Sequence, residues 1–264
     1  MLENKEINFL KCQIAKVSHK SKEGHVASAY SIIDLVWVLY KNILNVEQIS
    51  NGISHKFILS KGHASLALYA VFLSMGYISQ EEFDTFCEYG SKLGGHPDSN
   101  KLPQIEASTG SLGHGLPIAV GMAMALNIKK NISRVYCLVG DGECNEGSIW
   151  EAVLLATQHR LGNLCCIVDY NHSTDRALLM GDIAEKFSAF GWEAIVIDGH
   201  NHKEILNAYM LALLSEKPMV IIANTIKGKG IKLMENSPEW HHKSPSIEEL
   251  SAIYKELGYA KAIC

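Results

Sequence analysis

RVYCLVGDGE at residues 134–143, answered by IVDYN at 167–171, is the pair of stretches whose reading decides the fold. In the first, the apolar run Val135–Val139 stops at a carboxylate, Asp141, flanked by Gly140 and Gly142. In the second, an apolar run ends at the amide of Asn171. Short apolar runs bounded by turn residues read as buried strands, and the longer segment 147–161 between them reads as a helix. Glycines without a Cβ let the backbone turn sharply and approach a bulky anion. Asp141 and the side-chain oxygen of Asn171 are hard donors suited to a magnesium ion that also takes phosphate oxygens. A helix starting near Gly147 would aim its first N–H groups at the same place. Gly-Asp-Gly alone is an ordinary turn; the whole strand–GDGE–helix–strand–DxN pattern describes a metal–diphosphate clamp.

Outward from this pair the alternation continues. Strands are expected at 57–60, 134–139, 164–169, 194–198 and 219–224, with helices near 147–161, 183–190 and 202–215. Elements of this length in this order predict an α/β fold: a mainly parallel twisted sheet with helices on both faces. Ligands in such folds sit at the carboxyl ends of the strands, where Asp141 and Asn171 fall. Ahead of the sheet, Ile7, Leu10, Ile14 and Val17 at helical spacing predict a helix over 3–20, and further helices are expected over 31–44, 64–75, 80–90 and 117–126. Gly94–Asp98 breaks regular structure. After about residue 227 the chain becomes irregular before a last helix from Ser246 to about Leu257. Neither repeat nor linker interrupts residues 1–264, which read as one domain.

Composition narrows the function classes. The chain has 264 residues, 20% of them charged, and a formal net charge of −4, so no basic surface points to nucleic acid or an anionic membrane. No apolar stretch approaches the roughly 18 residues that span a bilayer. Residues 1–22 carry charges every few positions and lack the apolar block of a signal peptide. Seven cysteines, at 12, 87, 137, 144, 165, 166 and 264, form no C-x-x-C pair and read as reduced, mostly buried thiols of a cytoplasmic protein without a zinc framework.

Twelve histidines are present. His25, His63, His96, His241 and His242 each stand beside a loop or helix start, where functional side chains are usually presented. His19, His55, His159, His200 and His202 lack such a setting and are expected to be surface or capping residues. The loop-borne set has two readings. One is ligation of a transition metal, which no H-E-x-x-H or Cys/His cluster supports. The other, preferred here, is proton transfer and hydrogen bonding to a polyhydroxylated substrate.

Stretches spread over nearly the whole chain resemble the thiamine-diphosphate-binding N-terminal domain of the transketolase family. They are Gly24–His25, LSKGHASLALY (59–69), GGHPD (94–98), STGSLGHGLPIAVGMA (108–123), GDGECNEGSIWEA (140–152), IVDYN (167–171), AFGWEAIVIDGHN (189–201), and KGKG with WHHKSP (227–245). The resemblance implies roles by position. Asp141 and Asn171 resemble the side-chain ligands of a magnesium (or calcium) ion, with the carbonyl of Ser173 as a third. Gly110, Ser111, Leu112, Gly142 and Glu143 match positions lining thiamine diphosphate. His63 and His241 match histidines near the diphosphate and the reactive thiazolium. His25 and His96 match those that grip and deprotonate ketose hydroxyls, and Glu146 a carboxylate in a network joining paired active sites. Two departures stand out: His242 occupies a position where relatives usually have glycine, and 172–176 differs from the commoner sequence.

The activity this implies is transfer of a two-carbon ketol unit from a ketose phosphate to an aldose phosphate, the thiazolium adduct holding the carbanion as an enamine. Complete transketolases continue into pyrimidine-binding and C-terminal domains absent from this chain. The resemblance therefore implies one subunit of a split enzyme, inactive alone and paired with a separately encoded C-terminal subunit, as an α2β2 heterotetramer. A related thiamine enzyme (1-deoxyxylulose-phosphate-synthase-like or acyloin-forming, in specialised sugar biosynthesis) and a non-catalytic assembly or regulatory module are the alternatives at this point.

Overall fold

The computed structural model describes residues 2–44, 53–175 and 178–259, so expectations for Arg176 and Cys264 lie outside the described residues. Five strands, β1 (Lys56–Leu59), β2 (Val135–Gly140), β3 (Leu164–Tyr170), β4 (Glu193–Asp198) and β5 (Met219–Asn224), form one sheet in the order β1-β2-β3-β5-β4. All four pairings are parallel. Side chains alternate along each strand, so two cores form on opposite faces. Tyr136, Leu138, Cys165, Ile167 and Ile221 join one cluster, built with α1 (Leu2–Ser21), α2 (Val26–Asn42), α3 (Ser65–Ser74), α8 (His202–Leu214) and α9 (Ile247–Glu256). Val135, Cys137, Val139, Cys166 and Val168 join the other, with α5 (Gly115–Ile128), α6 (Gly147–Gln158) and α7 (Ile183–Ala189). Five of the six described cysteines are buried and all six are free thiols, packing as small apolar residues.

The expected elements are present, with shifted limits that have physical causes. Helix α2 begins at Val26 rather than Ser31. Its first turn is buried all round, so it shows no amphipathic stripe to read. The acidic segment after Ser79 makes only a short helix, α4 (Gln80–Phe83), closed by a capping box from Ser79 to Glu82. Beyond it the chain turns, and Cys87 has φ +57°, which no helix continues through. Helix α5 starts at Gly115, two residues before Pro117; in the first turn a missing N–H costs nothing. Among the described residues no helix is long and apolar enough to cross a membrane.

Candidate functional site

Strands β2 and β3 end side by side, Gly140 opposite Asp169, and the amide of Asp141 donates to the carbonyl of Asp169 at 3.1 Å. Asp141 and Asn171 therefore leave the sheet next to each other, only 3% and 5% exposed. The next loop closes over both. The amide of Ser173 donates to Asn171 Oδ1 at 3.1 Å and the following amide, of Thr174, to Asp141 Oδ2 at 3.4 Å. Consecutive amides of one loop thus hold an oxygen from each strand end. Asn145, in the turn after Gly142, donates to Thr174 Oγ1 at 2.8 Å and ties the two loops together.

Beneath them lies a group that the sequence reading did not assign. Asp169 is fully buried and accepts from Lys61 Nζ, from Ser31 Oγ at 2.7 Å, from Thr225 Oγ1 and from Asn171 Nδ2 at 2.8 Å. Burial opposes its ionisation, but Lys61 and these hydrogen bonds outweigh it and hold the carboxyl below its usual range. Because an ionised carboxylate only accepts, the amide nitrogen of Asn171 must face it, which turns Oδ1 toward Ser173 and the open side. Asp141 shows the opposite shift: burial, then the charge of Asp169, raise its pKa. A carboxylate so placed fits a cation, which would reverse both effects. Among the described residues no cluster of three or more His, Cys, Asp or Glu side chains can hold a metal.

The imidazoles gather beside this point. His63 lies in the tight turn Gly62–Ala64 after β1, and His25 caps α2 immediately after Gly24, whose φ is +111°. The ring of His25 lies 5.0 Å from His63, 5.9 Å from His241 and 4.5 Å from His242, centroid to centroid. His96 packs on Gly110, where a Cβ would come within 3.2 Å of the ring. Burial lowers the pKa of His25 to about 4, helped by His242, His241, His96 and Lys227. Burial and Lys61 take His63 to about 2. Both are neutral at pH 7, able to donate from one nitrogen and accept at the other. Lys227 Nζ lies 2.9 Å from His241 Nδ1, and burial, then Lys61, lower its pKa to about 8. A cavity of about 790 Å³ is lined by Asn171, Ser173, Lys227 and His241 together with Asn236 and Pro238.

Other assigned positions are placed differently. Glu143 is buried and commits its carboxylate to the protein, accepting from Ser60 Oγ and from the amides of Gly113 (2.9 Å) and Gly140 (3.2 Å), so it fixes the loops. Gly142 lies against Thr174, while Ser111 is exposed and Leu112 half-buried. Glu146 is exposed at the start of α6. Sequence reasoning missed Lys61, Asp169, Lys227 and Ser28. Ser28 lies one turn along α2 from His25 and one turn before Ser31, and its buried hydroxyl finds no partner among the described residues. His200 and His202 are not surface residues: their side chains are 10% and 15% exposed and both bond the buried Asp34. A larger hollow, about 910 Å³, lies at the amino ends of β4 and β5, but its charged residues Arg160, Glu193, Glu216 and Lys217 are all exposed.

Comparison with known proteins bears on this geometry. Residues 2–263 match the family model "Transketolase, thiamine diphosphate binding domain". The chain is 35% identical over 254 residues to an apulose-4-phosphate transketolase subunit of Phocaeicola vulgatus, covering 93% of this chain and 90% of that one. It is 36% identical to the 6-deoxy-6-sulfo-D-fructose transketolase subunit SqwG of Clostridium sp., covering 89% and 88%. The crystal structure of the transketolase of Campylobacter jejuni superposes with a TM-score of 0.89 at 31% identity, covering 98% of this chain and 43% of that one.

Proposed function

The chain belongs to the transketolase family, as a counterpart of its thiamine diphosphate-binding N-terminal part, and from that premise we propose that it supplies the diphosphate- and metal-binding half of a two-component enzyme transferring a two-carbon ketol unit between sugar phosphates. The observation that carries this reading is the convergence of Asp141 and Asn171 at two neighbouring strand ends, beside a cavity that Lys227 and His241 also line. Asp141, Asn171 and the carbonyl of Ser173 would hold magnesium or calcium against the diphosphate, and Lys227, His63 and the unpartnered Ser28 hydroxyl would face its oxygens. When bound, thiamine diphosphate would supply a nucleophilic ring carbon to bond the ketose carbonyl carbon and a cationic thiazolium ring to delocalise the electron pair left there by C2–C3 cleavage. Neutral His25, together with His96, takes and returns the hydroxyl protons of the donor.

Two relatives of nearly this length are named as transketolase subunits. This supports a second polypeptide carrying the pyrimidine-binding and C-terminal domains. Exposed Ile118 and Ile128 on α5 and Leu154 and Leu155 on α6, helices that pack together, would give such a partner apolar surface to cover. An α2β2 heterotetramer in the cytoplasm is the assembly we propose. The test is reconstitution with thiamine diphosphate, magnesium and a ketose phosphate: ketol transfer is expected only when both polypeptides are present. Robust turnover by the single chain would refute the two-component reading.

A further inference from the structure

The segment that carries Lys227 is held from below by a buried acid. The amide of Ile226 donates to His200 Nε2 at 2.9 Å, and His200 Nδ1 lies 3.0 Å from Asp34 Oδ2. An N–H pointing at Nε2 requires a lone pair there, so the ring carries its proton on Nδ1 and donates it to Asp34. Asp34 also receives His202 Nε2 at 2.7 Å. The hydrogen bonds from His200 and His202 and the charge of Lys11 keep Asp34 ionised against burial. Lys11 in turn donates to the carbonyl of Lys229 at 2.9 Å, and the amide of Gly228 donates to Ala27 O at 3.0 Å. The backbone on both sides of Lys227 is thus anchored; of its anchors, His200 bonds Asp34 directly and Lys11 interacts with it through charge.

Resting on the cofactor reading above, we propose that Asp34 and His200 are positioning residues that act on the diphosphate through Lys227. Asp34 fixes the tautomer of His200; His200 fixes the Ile226 amide; the next residue then presents its ammonium group to the cavity and to His241. None of these groups touches the reacting atoms.

The test is a double-substitution cycle on thiamine diphosphate affinity, measured with magnesium in the full chain assembled with its completing polypeptide. His200→Asn keeps a polar atom where Nδ1 stands but offers no acceptor at the place of Nε2, whereas His200→Gln offers one. Loss of such a supporting bond is expected to weaken binding about tenfold, so H200N should show that loss and H200Q should bind within about twofold of the unsubstituted protein. His200→Met, which keeps the volume and loses both bonds, should match H200N and serves if H200N does not fold. In a Lys227→Met background the effect of H200N should shrink below about twofold, because the residue it acts through is gone. Equal affinities for H200N and H200Q, or an undiminished loss in the Lys227→Met background, would overturn the proposal. Failure of the unsubstituted assembly to bind at all would instead overturn the cofactor reading beneath it.

Discussion

The oxygen clamp and the imidazole rim lie around one site and are held in opposite ways. In the clamp, each side-chain polar atom of Asp169 and Asn171 has a protein partner, and the group is buried between strand ends. In the rim, His96, His241 and His242 are exposed, and the ring of His25 meets those of His63, His241 and His242. A saturated network fixes geometry before any ligand arrives. Imidazole rings crowded at a surface keep hydrogen-bonding capacity for a substrate. Under the proposed function, the clamp would hold an ion and a diphosphate still and the rim would exchange protons.

The contrast breaks first if Asp169 is dispensable. Asp169→Ala leaves the Lys61 ammonium, 3% exposed, without its counter-charge, and is expected to cost about 3–5 kcal/mol in urea unfolding. A loss below about 1 kcal/mol, the range of a surface pair, would mean the clamp is not preformed. Asp141→Ala acts on binding instead. Saturation at a hundred times Kd stabilises a protein by about 2.7 kcal/mol, and this gain from thiamine diphosphate with magnesium should vanish in the variant while the unliganded chain stays folded. A melting shift equal to that of the unsubstituted pair would remove Asp141 from the site.

The rim should behave in the reverse manner. His96→Ala is expected to leave cofactor affinity intact and lower kcat/KM for ketose donors by about a hundredfold, the lower end for a positioned acid–base group. Wild-type rates with every donor would rule out that role. The rim also predicts an acid limb in stability. His25 and His63 have folded pKa values lowered to about 4 and about 2, so the unfolded chain binds more protons below about pH 6.5. Their contribution is complete above that value and is lost as the pH falls toward and through the folded values. Melting temperature should fall on acidification below pH 6.5 in the unliganded chain, and His25→Gln should flatten the slope; an unchanged slope would show the ring titrates normally. The smallest effect belongs to Glu146→Gln, which should alter the single chain's stability by no more than about 0.5 kcal/mol and show itself only as changed coupling between sites in the assembly.

Some of this could be read before any coordinates. The short apolar runs placed all five strands within a residue or so, and the Gly-flanked Asp141 with Asn171 marked the place of the clamp. What escaped had no local signature. Lys61 and Asp34 receive no role from the sequence, and His200 and His202 read as surface or capping residues; each acquires its partner from a segment far away in sequence. The fully buried start of α2 lacked the polar face that marks a helix, and the 80–90 segment was stopped by a left-handed residue, Cys87, that composition does not reveal.

By itself, then, the chain's order of residues determined the alternating elements, the parallel sheet and the two polar residues at its strand ends, because these depend on periodicity and on residues within one crossover unit. Only the tertiary structure decided the direction of the Asn171 amide, the neutrality of His25 and His63, and the anchoring of Lys227 by His200. Those properties come from burial and from charges brought together across the sheet, and a linear sequence specifies neither distance nor dielectric surroundings.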